Sequence, residues 1–195
     1  MAGLLDLLGS RLDGNAVQQI SGRLGADRAA TGTAIAAALP LLLGALARNA
    51  SQPDGARLLH DALARDHDGS RLNQLPGTGG PEPRAEGEAI LRHVLGDRRE
   101  VAERGISKAS GLELAQVGPL LAMLAPVVMG ALGRSRREQG LGPQDLAVLL
   151  GRERDSINAA SPGLMGTLTQ LLDRDNDGSI ADDVGGMLGK MFWRR

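Results

Sequence analysis

The sequence predicts an all-α protein, and three observations lead there: a core built without aromatic rings, apolar residues at helical spacing, and a segment that returns 86 positions later. The 195 residues include one Phe (Phe192), one Trp (Trp193) and no Tyr. Rings normally supply large blocks of buried area. Here Leu, Ala, Val, Ile and Met must supply it, and their compact side chains suit close helix–helix packing. Few β-branched and aromatic residues argue against a sheet.

The repeat organises the chain. A shift of 86 positions lays Ile20, Ser21, Gly25, Ala29, Gly32, Ala36, Pro40, Gly44, Ala45, Leu46 and Arg48 on Ile106, Ser107, Gly111, Ala115, Gly118, Ala122, Pro126, Gly130, Ala131, Leu132 and Arg134, without a gap. Upstream, Leu4, Leu5 and Leu8 fall on Ile90, Leu91 and Val94. After a slip of one residue, Leu59, Leu63 and Arg65 fall on Leu146, Leu150 and Arg152. Each unit is therefore expected to hold a short leading helix, a second short helix, a long proline-bearing helix and a closing helix.

The first unit is assigned to residues 1–75 and the second to 86–155, with a Pro/Gly linker over 76–85 and a C-terminal helical segment over 156–195. Within the linker, the stretch PGTGGPEP at 76–83 is expected to sustain neither helix nor strand. Pro40 and Pro126 each remove a backbone donor and are expected to bend a buried helix. Gly44 and Gly130, four residues on, are expected to admit another backbone. Past the second unit, Ser161 and Pro162 read as a helix start. Leu164, Leu168, Leu171 and Leu172 then form a stripe at helical spacing.

Composition narrows the partners. A formal net charge of −1 gives no strong field for nucleic acid or anionic lipid. Without cysteine there is no disulfide and no thiolate chemistry, which fits a cytoplasmic location. The N-terminal MAGLLDLLGSRL lacks a basic start and a long apolar stretch, so it reads as an amphipathic helix and not a secretory signal. The apolar runs Thr33–Ala47 and Val117–Gly133 are shorter than the roughly 18–20 residues of a spanning helix and are interrupted by proline. They are expected to be core helices of a soluble protein.

The N-terminal GLLDLL, the Pro-x-x-x-Gly-Ala-Leu element and the tail LLDRDNDGSIADDVGGMLG together resemble the YidB-like family, bacterial proteins defined by a domain of unknown function. The resemblance covers most of the chain. It implies a multihelical fold and a bacterial source, and brings no catalytic residues with it.

One segment carries recognisable ligand spacing. Asp173, Asp175 and Asp177, followed by Gly178, match the opening of an EF-hand-type calcium loop, in which alternate acidic side chains converge on one hard cation. The twelfth position, which should be a bidentate Glu, is Val184; Asp182 stands near enough to substitute. The competing reading is a turn at Asn176-Asp177-Gly178 followed by a helix capped by Ser179 and Asp182. A weaker echo, Asp66-His67-Asp68-Gly69-Ser70, lacks the first ligand and reads as a helix–turn–helix junction.

Other sites are weaker. Residues 16–38 and 102–124 have the helix–Gly turn–helix pattern of a DNA-binding motif. The second helix offers Ala, Thr, Gly, Leu, Ile and Pro in the first unit and little beyond Gln116 in the second, so it lacks side chains to read bases. His60, His67 and His93 have no metal-ligand spacing and read as surface residues. The tail holds both aromatic residues, and Phe192 and Trp193 are candidate interface anchors. The sequence reading is a non-enzymatic helical interaction protein that associates with itself. The alternatives are a calcium-responsive module acting through 173–183 and a DNA-associated helix-turn-helix-like protein.

Overall fold

The computed structural model describes residues 3–70 and 81–160, and these are almost wholly helical. In chain order the helices are α1 (Leu4–Arg11), α2 (Gly14–Leu24), α3 (Arg28–Ala50), α4 (Pro53–Arg65), α5 (Pro81–Leu95), α6 (Arg99–Ser110), α7 (Leu114–Gln139) and α8 (Pro143–Ala160). A single 3₁₀ turn, Gly96–Arg98, joins α5 to α6.

Local signals account for the boundaries. Asp13 caps α2 by accepting from the amides of Asn15 and Ala16, and Asp27 caps α3 by accepting from Ala30. These carboxylates satisfy amides that have no partner within the first turn. Helices α2, α6 and α7 end on Gly25, Gly111 and Gly140, all with positive φ, the left-handed geometry glycine adopts without a Cβ penalty.

Helices α3 and α7 form the centre. They pack on each other, and each touches α2, α4, α5 and α6; α3 also carries α8, and α7 also carries α1. Neither has a polar face of ordinary width, since each buries 13 residues. The result is one continuous core running from Leu4 to Ile157, to which helices of both expected units contribute.

Three expectations need correction. The stretch 81–83, assigned to a linker unable to hold a helix, is the first turn of α5. A proline nitrogen costs nothing there, because the first four amides of a helix have no intrahelical acceptor. The apolar helices are also longer than their uninterrupted runs: α3 spans 23 residues through Pro40, and α7 spans 26 through Pro119 and Pro126. Both are long and apolar enough to cross a membrane, yet 61% of each apolar window is buried inside the fold.

The third correction concerns close backbone approach. A Cβ on Gly44 would meet nothing within 4 Å. Tight contacts with another element do occur at Gly87, where a Cβ would stand 1.9 Å from the Ala122 carbonyl oxygen, and at Gly133, where it would stand 1.6 Å from that of His67. Gly87 thus sets the spacing of α5 on α7, and Gly133 seats the chain after α4 against α7.

Candidate interaction surface

The acidic residues Asp173, Asp175, Asp177 and Asp182 and the aromatic pair Phe192 and Trp193 lie outside the described residues. Among the described residues, the site has to be sought in charged corners and exposed apolar side chains.

The junction at 66–70 is settled by local pairing. Asp66 accepts from Nε of Arg65, and this hydrogen bond holds its carboxyl below the usual carboxylate range. Asp68 accepts from the Ser70 amide at 2.9 Å and lies 3.6 Å from Arg137. His67, expected at the surface, is largely buried, with Nδ1 3.3 Å from Glu86. That contact ties the junction to α5. His60 is also partly covered; its Nδ1 lies 3.2 Å from Asp61 and its Nε2 3.5 Å from Arg136 Nη1. His93 is exposed, and its carbonyl accepts from the Asn49 side chain.

The helix-turn-helix-like segments are α2–Gly25–α3 and α6–Gly111–α7. Gln116, the residue singled out for reading bases, is occupied within the fold. Its amide nitrogen donates to the Leu24 and Gly25 carbonyls at the end of α2, while its oxygen accepts from the Glu113 amide. It links α7 to α2 and caps its own helix.

The arginines on α6, α7 and the preceding turn differ in how fully their donors are partnered. Arg99 is clasped by Glu88 and Glu103, whose hydrogen bonds raise its pKa. Arg134 pairs with Glu138, and Arg137 with Asp68. Arg98 and Arg136 differ: Nη1 of Arg98 and Nε of Arg136 are buried without a hydrogen-bond partner. This distinction depends on the tertiary fold, since Arg98 and Arg99 are adjacent and identical in the sequence.

Three large apolar side chains are exposed among the described residues: Leu58, Leu114 and Val148. Leu58 on α4 is 72% exposed and Val148 on α8 is 54% exposed, on two helices that pack against each other. Leu59 and Leu63 on α4, and Leu146 and Leu150 on α8, turn inward, so Leu58 and Val148 lie outside the stripes that build the core.

A family model described as "Bacterial protein of unknown function (DUF937)" matches residues 6–135. The chain belongs to that family. The YidB-like proteins are the same DUF937 family. The matched part of this DUF937 chain runs from within α1 to within α7, so it includes all of α3 and most of α7 and leaves α8 outside. No curated protein and no solved structure matches the chain.

Proposed function

We propose that this DUF937 protein is a non-enzymatic, cytoplasmic interaction protein, and that its partner is a second copy of itself. The observation that carries this reading is the pair of adjacent closing helices, α4 and α8, each presenting a large aliphatic side chain to solvent. Covering Leu58 and Val148 on two copies would remove roughly 400 Å² of apolar surface, worth about 10 kcal/mol at 25 cal/mol per Å². Association costs about 4–15 kcal/mol in lost freedom. The two terms are of similar size, so self-association should be weak and concentration-dependent.

The architecture behind this reading is a tandem pair: α1–α4 and α5–α8 as copies of one unit, with Pro40 and Pro126 as equivalent bends. Three correspondences support it besides the sequence identities. Helices α2 and α6 both end on left-handed glycine, α3 and α7 both bury 13 residues, and Pro40 and Pro126 both lie inside the long helix. Chains built from like units have ready routes to homomeric assembly. Size-exclusion chromatography with light scattering tests the reading. The mass should rise above the 20.3 kDa of one chain as concentration increases. A constant monomer mass at tens of micromolar would dismiss self-association.

A further inference from the structure

The C-terminal end of α3 meets the junction of α5 and α6 at a corner that carries Arg48 and Arg98. Asn49, in the last turn of α3, donates from Nδ2 to the His93 and Val94 carbonyls, both at 3.2 Å. Arg48 precedes Asn49 in the last turn of α3, and Arg98 lies in the 3₁₀ turn four residues beyond Val94. Both arginines are partly buried. Among the described residues, neither makes an ion pair. Nη1 of Arg98 is buried with no hydrogen-bond partner. Burial and the nearby charge of Arg98 push the Arg48 guanidinium below the usual arginine range.

The acids at this corner do not answer the charge. Glu88 and Glu103 are both held by Arg99. Glu100 pairs with Arg104. Asp97 is exposed and makes no ion pair with Arg98 despite preceding it in the chain. Two like charges held close and partly out of water repel, and a buried donor is left unsatisfied. A bound anion corrects both. Guanidinium groups are planar forks that grip oxyanions with paired hydrogen bonds.

We propose that Arg48 and Arg98 form a binding site for an oxyanion of the phosphate type, either the free ion or the phosphate group of a small phosphomonoester. Two cationic forks match a dianion in charge. The site is independent of the α4 and α8 surface, so it stands whether or not the chain self-associates.

Calorimetric titration of the full chain with inorganic phosphate, and separately with glycerol 3-phosphate, tests the site at constant ionic strength in chloride buffer. Saturable binding of either ligand at millimolar concentration supports it. Binding of phosphate itself identifies the free ion as sufficient; binding of the ester alone identifies a phosphomonoester site. Arg48→Gln and Arg98→Gln should each weaken binding about tenfold or more, the loss expected for a charged hydrogen bond. Arg104→Gln, on the exposed face of α6, should bind as the wild type does. The wild-type titration stands on its own should a variant fail to fold. No heat from either ligand with the wild-type chain, or unchanged binding in both Arg48→Gln and Arg98→Gln, overturns the proposal.

Discussion

Replacing Gly87 with alanine should destabilise the protein, although the same change usually strengthens a helix. In a helix interior alanine is favoured over glycine by about 1 kcal/mol. At Gly87 the new Cβ would lie 1.9 Å from the Ala122 carbonyl oxygen and 2.7 Å from its carbon. A carbon–oxygen contact settles at about 3.3 Å or more, so α5 and α7 must part by roughly 1.4 Å. The obstacle is main chain, which cannot rotate away as a side chain would. Gaps of 0.5–1 Å already forfeit roughly a quarter to a half of a dispersion contact. Over-packing of this kind costs typically about 1–3 kcal/mol beyond any local gain. A net loss near 2 kcal/mol is expected, lowering Tm by about 4–8 °C for a chain of this length. Gly22 in α2 supplies the control, since a Cβ there meets nothing within 4 Å. Gly22→Ala should gain about 0.5–1 kcal/mol. Urea denaturation followed by circular dichroism measures both. If Gly87→Ala is as stable as the wild type, the close approach of α5 to α7 is wrong.

Other changes probe single contacts. Glu153 on α8 accepts from the Leu4 amide at 2.9 Å, so Glu153→Ala should free the start of α1 and speed amide exchange over 4–11; exchange as slow as in the wild type would deny that contact a role. Asp27→Ala should cost about 1 kcal/mol by removing the α3 cap, measured by the shift of the urea midpoint, whereas Asp27→Asn should retain most of it. Asp66 should titrate below the ordinary aspartate range by carbon-detected NMR and move back up in Arg65→Gln. Because its folded pKa is lowered, the stabilisation from this pair is present above the ordinary aspartate range and is lost as pH falls through the folded value. An unshifted Asp66 would remove the pair.

Much of this fold was legible in the sequence. The helical class followed from composition and spacing, and the Gly25 and Gly111 turns were located by the 86-residue shift. What was not legible depended on partners distant in sequence. Pro81 reads as a breaker in the linear sequence, which does not give its place in a helix; at the first turn it is harmless. Pro40, Pro119 and Pro126 likewise interrupt apolar runs in the sequence, and the structure carries the helices through them. Gly87 carried no linear signal, since its role depends on Ala122 in another helix. The Arg99–Glu103 pair has recognisable i,i+4 spacing, but Glu88 reaches Arg99 only through the α5–α6 corner. Arg98, one residue away, becomes distinct for the same reason.

The self-association reading meets its most direct test in sedimentation equilibrium of the wild-type chain beside Leu58→Glu and Val148→Glu. Both side chains are exposed, so a charge there should leave folding intact, which circular dichroism checks. The account predicts that the wild type exceeds 20.3 kDa with rising concentration, and that each variant shifts toward the monomer. A wild type that stays monomeric, or variants that assemble as the wild type does, would contradict it.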